Sequence, residues 1–232
     1  MVKSFRFLLS FAWINMGAVI GFAAIVIAGC YITGVPGSTN GSGDNLFTTY
    51  YAMFPIMILF MLYLYGFALC TNNLNLGLSF GARRGDFFWA LQGIIVFYTL
   101  ISWVLQVFLC AFPAMANWEV RDRWMLLHLF DGRPWVFPLA CAVFMVLGCL
   151  CGLLMIKHKG LGVFTMVLAV FLLMGATVFL ILSAETEVMD FVRGEGWGWL
   201  AALPGIVAGV LAAAAAAGEV VIWRTIRRFV VR

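Results

Sequence analysis

The sequence predicts an all-α integral membrane protein with six transmembrane helices, and three observations carry that prediction. Of the 232 residues, 65% are hydrophobic and 10% charged, against about 25% charged in a soluble domain. The apolar residues gather in runs of crossing length, because a helix of about 20 residues covers the ~30 Å hydrocarbon core. The runs are apolar on every face, unlike the alternating strands of a membrane barrel. A chain this apolar meets lipid over most of its surface and reads as one transmembrane domain over residues 1–232.

The first span is expected at residues 7–32, after Lys3 and Arg6. Its Ile27-Ala28-Gly29-Cys30 looks like a lipoprotein cleavage box. The apolar core exceeds the roughly 7–15 residues of a signal peptide, so an uncleaved anchor is expected. A Gly-, Ser- and Asn-rich loop follows at 34–45. The second span is expected at 50–70, with Asn72, Asn73 and Asn75 marking the exit from lipid. The third lies at 89–112. A polar segment at 113–134 carries Glu119, Arg121, Asp122, Arg123, His128, Asp131 and Arg133. The fourth span, at 135–156, is closed by Lys157-His158-Lys159, and the fifth lies at 160–183. An acidic segment with Glu185, Glu187, Asp190 and Glu195 precedes the sixth, at 197–223, which ends in Arg224, Arg227, Arg228 and Arg232.

Six spans place both termini on one side. That side collects ten cations: Lys3, Arg6, Arg83, Arg84, Lys157, Lys159, Arg224, Arg227, Arg228 and Arg232. The other collects four: Arg121, Arg123, Arg133 and Arg193. The positive-inside rule therefore places the termini in the cytoplasm. The cytoplasmic cations suit anionic lipid headgroups and give no ground for nucleic-acid binding.

Chemistry is sparse. The six cysteines (Cys30, Cys70, Cys110, Cys141, Cys149, Cys151) sit in or beside apolar runs, with no CxxC and no Cys–His spacing for zinc. They read as small packing residues. His128 and His158 fall on opposite sides in this topology and cannot share a metal. His128 and Asp131, with Glu119 and Asp122, form a loose outer cluster; it reads either as a solvated surface or as the site of a membrane-embedded, lipid-acting enzyme. Glu219, one turn before Trp223 and Arg224, is an interfacial carboxylate paired with Arg224 or a neighbouring cation, or else a gating or partner contact. No phosphate-binding Gly-Lys-Ser/Thr loop occurs.

The densest loop joins the second and third spans. Leu76, Leu78, Phe80, Phe87 and Phe88 alternate with Gly81, Arg83, Arg84 and Asp86. A short helix along the membrane surface explains that mixture and would offer its charged tip to a cytoplasmic partner; an ordinary interfacial turn is the simpler alternative. The run Ser79-Phe80-Gly81-Ala82-Arg83-Arg84-Gly85-Asp86-Phe87-Phe88 resembles the first cytoplasmic loop of bacterial ABC exporter permeases of the type-2 superfamily, whose members often carry Ser-Phe-Gly-x-x-Arg-x-x-Phe-Phe there. The resemblance is specific over residues 75–88 and architectural elsewhere.

That resemblance implies a short coupling helix between the second and third spans that meets a separate ATPase subunit. Gly81, Arg83, Arg84, Asp86, Phe87 and Phe88 would form the contact; Glu219 and Arg224 stay candidates for gating or interface on their own residues, outside the resemblance. It implies ATP and magnesium in the partner rather than in this chain, a second permease subunit (identical or not), and an inner-membrane location. It also implies short re-entrant helices between the fifth and sixth spans, with Asp190-Phe191-Val192 and Trp197-Gly198-Trp199 as a reduced version. The substrate would be amphipathic or hydrophobic: peptide, lipid or drug. An assembly or sensory subunit without transport is the remaining class.

Overall fold

A computed structural model of the chain describes residues 2–33, 46–79, 83–116, 136–183 and 203–228, all of them helices and the short turns between. The helices are α1 (Val2–Thr33), α2 (Leu46–Ala68), α3 (Leu74–Ser79), α4 (Arg84–Ala116), α5 (Val136–Lys157), α6 (Lys159–Ser183) and α7 (Leu203–Arg227). Four stretches are long and apolar enough to cross a membrane: Lys3–Ile32, Met53–Leu78, Arg84–Pro113 and Phe137–Lys157. The chain is thus a helical membrane protein, and these four stretches fall at the first four expected spans; among the described residues α6 and α7 lie near the fifth and sixth expected spans, without reaching the same length and apolarity.

The second helical stretch departs most from expectation. The asparagines do not end it. A π-helical turn at Leu69–Asn73 joins α2 to α3, so helical backbone continues to Ser79. A π turn inserts a residue and disturbs the regular carbonyl pairing. Within it, Thr71 Oγ1 donates back to the Phe67 carbonyl of α2 at 2.9 Å and reaches the Ala68 carbonyl at 3.5 Å. Asn73 is buried, while Asn72 and Asn75 are exposed. One polar side chain therefore turns into the bundle where the sequence suggested that all three leave it.

Lipid tails are as apolar as the helix faces, so helices associate through close packing rather than expulsion of water. Glycine makes the closest crossing, between α2 and α5. A methyl group on Gly148 would run into the Tyr63 carbonyl, and one on Gly66 into that of Met145. At Gly152 it would stand 2.7 Å from the Phe67 carbonyl oxygen. Gly148 and Gly152 are four residues apart, one above the other on α5. Gly218 brings α7 onto α5, where an added Cβ would lie 2.6 Å from Val146. The α5–α6 link is a single residue, His158. Hydrogen bonds from its amide to Leu154 (2.7 Å) and from the Gly162 amide to its carbonyl (2.9 Å) carry the turn.

Helices α1 and α4 run in parallel. Phe5 covers Gly93, Trp13 meets Phe97 at 6.1 Å, and Asn15 donates to the Tyr98 hydroxyl at 3.1 Å. Tyr98 also stacks on Tyr65 of α2 at 5.4 Å. The core along these contacts is filled by Leu8, Met16, Phe54, Tyr98, Phe137 and Met145, all essentially without exposure. Five cysteines are buried in it, as expected of packing residues; Cys110 is exposed instead.

Candidate functional site

The segment joining α3 to α4 is built from its glycines and aromatics. Gly77 of α3 lies under the Phe87 ring, where an added Cβ would come within 2.9 Å of it. Phe87 is fully buried, and its amide donates to the Arg83 carbonyl at 2.9 Å, which opens α4. Asp86 occupies the first turn, where a carboxylate complements the exposed amides and the helix dipole. The short helix between the long ones is therefore Leu74–Ser79. Arg84 to Phe88 are the first turn of a long apolar helix, not a separate surface element. Arg83 stands exposed at the tip, and Gly81 lies outside the described residues.

From Arg84 the contacts climb α4 in steps of four residues and descend α7 in the same steps. Arg84 Nη1 donates to the Arg227 carbonyl at 3.1 Å. The Phe88 ring lies 4.8 Å from that of Trp223. Gln92 Nε2 donates to Glu219 Oε2. Residues four apart share a helix face, so three consecutive turns of two antiparallel helices meet in register. The Arg227 guanidinium sits 5.7 Å over the Trp223 ring, a cation–π contact within the reach of such pairs. Each rung does different chemistry. Arg84 satisfies a carbonyl at the end of α7 that has no partner within its own helix. Phe88 and Trp223 pack. Gln92 gives the half-buried Glu219 a neutral donor from another helix.

The structure thus brings Arg84, Phe88 and Glu219 into one assembly that the sequence treated as two. Phe87 belongs to the α3 contact. Arg224 is exposed on α7, and the partner of Glu219 is Gln92 rather than Arg224. The sequence reading missed Gln92, Trp223 and Arg227. Their spacing of four from recognised residues was visible, but nothing in one sequence says which helix faces which. His128, Asp131, Glu119 and Asp122, and the segment proposed as re-entrant, lie outside the described residues.

Polar side chains continue up α4 at Thr99, Ser102, Gln106 and Cys110, within one arc of the helix. Gln106 Nε2 and the Tyr51 hydroxyl each approach Cys110 Sγ at 3.6 Å. The Thr99 and Ser102 hydroxyls and the Gln106 carbonyl are buried without a hydrogen-bond partner among the described residues. Left unpaired, such groups cost about 1–3 kcal/mol each. Among the described residues this arc of α4 thus carries several polar side chains, with Ile95 between them.

No family model, curated protein or solved structure matches this chain. What it does must therefore be argued from its own residues.

Proposed function

We propose that this chain is the membrane-spanning permease subunit of an ATP-driven ABC exporter in the bacterial inner membrane. A cytoplasmic ATPase subunit supplies the energy, and a second permease subunit completes the path for an amphipathic or hydrophobic substrate. ATP and magnesium belong to the ATPase; this chain carries out no hydrolysis.

One observation carries the reading beyond the loop resemblance. The tip that would receive the ATPase is the first turn of α4, and α4 is tied to α7 at Arg84–Arg227, Phe88–Trp223 and Gln92–Glu219. A push on that tip reaches two long helices at once and extends to the half-buried carboxylate of Glu219. Arg83 offers an exposed charge for the ATPase surface, while Arg84 links the push to α7. An interfacial turn that merely joined two spans would need no such linkage.

The experiment separates these roles. Arg83→Glu should weaken copurification with the ATPase subunit, because it inverts the contact charge. Arg84→Glu should keep part of that assembly but uncouple hydrolysis from substrate, because a carboxylate would face the Arg227 carbonyl. Wild-type assembly and wild-type substrate-stimulated hydrolysis in the double variant would sink the coupling assignment.

A further inference from the structure

Helix α7 carries a single carboxyl group, Glu219, and its setting is apolar. Along the helix its neighbours in space are Ala215, Ala216, Ile222 and Trp223, three and four residues away. Across the bundle α7 packs on α5 and α4. From α5, Val146 fills the approach at Gly218, and the ionisable group within electrostatic reach is the buried Cys149 thiol, itself hydrogen-bonded to Cys70 of α2. From α4 comes Gln92, whose amide donates to Glu219 Oε2. The cations of this end are committed or turned away. Arg84 reaches the Arg227 carbonyl, Arg227 lies over Trp223, and Arg224, Arg228 and Lys157 are exposed. Eight residues at 1.5 Å each put Glu219 about 12 Å from Arg227 along the helix. Asp86, the acid of α4, lies in its first turn on the Arg84 side of Gln92. Half-buried Glu219 thus has a neutral partner and no cation partner among the described residues.

We propose that Glu219 is a proton-binding site, loaded and unloaded from the aqueous phase at the Arg227 end of α7. The surroundings select the ligand. A half-buried carboxylate loses water and, with no cation beside it, regains a single hydrogen bond; taking up a proton removes that cost. Gln92 fits both forms. Its amide N–H donates to the carboxylate, and once the acid forms its carbonyl accepts from the new O–H. The proton can therefore come and go while α4 and α7 stay joined. An arginine or lysine at position 92 would instead fix the anion. A hard metal cation needs about six oxygen ligands, and among the described residues only the Gln92 carbonyl adds to the carboxylate here. Loading removes one negative charge from the rungs between α4 and α7, so that contact responds to pH on its own side. The site regulates the α4–α7 contact and does not depend on the transport reading.

The test is labelling of the full chain, in detergent micelles, with dicyclohexylcarbodiimide. This reagent partitions into apolar surroundings and reacts with a protonated carboxyl. The O–H adds across one C=N bond: the oxygen bonds to the carbodiimide carbon and the proton goes to nitrogen. The adduct rearranges to a stable N-acylurea, and nothing leaves. Labelled peptides are mapped by mass spectrometry. At neutral pH ordinary carboxyls are ionised and unreactive, and Asp86 is further held as the anion by the first turn of α4. Glu219 should therefore be labelled several-fold more heavily than Asp86, and its label should fall as the pH is raised. Glu219→Gln should remove the label. Gln92→Lys should cut it several-fold, while Gln92→Met, of similar size, should keep it; a difference in reagent access would not separate these two. Labelling of Glu219 no heavier than that of Asp86 in the unsubstituted chain would overturn the proposal, whether or not the variants fold. So would an undiminished label in a Gln92→Lys protein with an unchanged melting temperature. The measurement involves no ATPase, so its failure would leave the transport reading standing, and the reverse also holds.

Discussion

At the scale of single residues, the decisive groups are those whose neighbours leave no alternative. Gly148 is one. Any side chain there meets the Tyr63 backbone, which cannot swing aside as a side chain can. Gly148→Ala should therefore destabilise the protein by about 1–3 kcal/mol, the usual cost of overpacking. In a thermal melt of the detergent-solubilised protein that is a fall of roughly 2–4 °C for each kcal/mol. Gly21→Ala is the control, because nothing lies within 4 Å of a Cβ at that position; its melting temperature should hold or rise slightly. Glu219 and Gln92 make the second residue-scale case. Each carries its charge or amide into the bundle for the sake of the other. Gln92→Leu and Glu219→Leu should each alter stability, and the double variant should differ from their sum by about 0.6–1.7 kcal/mol, the range of interhelical hydrogen bonds in membranes. Strict additivity would mean that the two side chains do not interact.

At the scale of elements, the register between α4 and α7 matters more than any one contact in it. Arg84 caps the end of α7, and Phe88 holds Trp223 one turn above. Arg84→Ala should loosen that end specifically. Hydrogen exchange at the amides of the last turn of α7 should quicken several-fold, while the amides around Gly148 in α5 keep their protection. Uniform quickening would indicate general destabilisation instead of a lost cap. The same scale explains why the short helix falls at Leu74–Ser79 rather than over Gly81 to Phe88. The apolar run from Phe87 onward is long enough to draw Arg84 and its neighbours into its first turn. The π turn, with Thr71 bonding carbonyls of the preceding turn of α2, lets the helix from α2 run on through the asparagines.

At the scale of the whole molecule, the question is direction. The contacts gather the start of α1, the α3–α4 junction and the end of α7 at one end of the bundle. This arrangement is what an even number of crossings requires; the six-span topology with both termini in the cytoplasm remains the proposal. A green fluorescent protein fused to either terminus should fluoresce, and alkaline phosphatase fused there should stay inactive, because the first matures in the cytoplasm and the second only outside it. Opposite results at the two ends would require an odd number of spans.

What the sequence determined by itself is the solvent and the elements. Runs of apolar residues with 10% charge overall admit only lipid around them, and backbone groups in lipid must pair within a helix. Membrane helices near 7–32, 50–70, 89–112 and 135–156 follow from that alone. So does the packing role of buried Cys30, Cys70, Cys141, Cys149 and Cys151. The spacing of Gly148 and Gly152 suits a close crossing, a signal the sequence reading passed over. Which helix they cross was not legible at all. The tertiary structure alone decided that α2 lies there, that Glu219 takes Gln92 as its partner, and that Arg84 reaches Arg227 across 143 positions of chain. The physical reason is that helices apolar all round carry no marked face. Their pairing depends on where small residues let two backbones approach and where a few polar side chains find one another, and both are properties of two helices together.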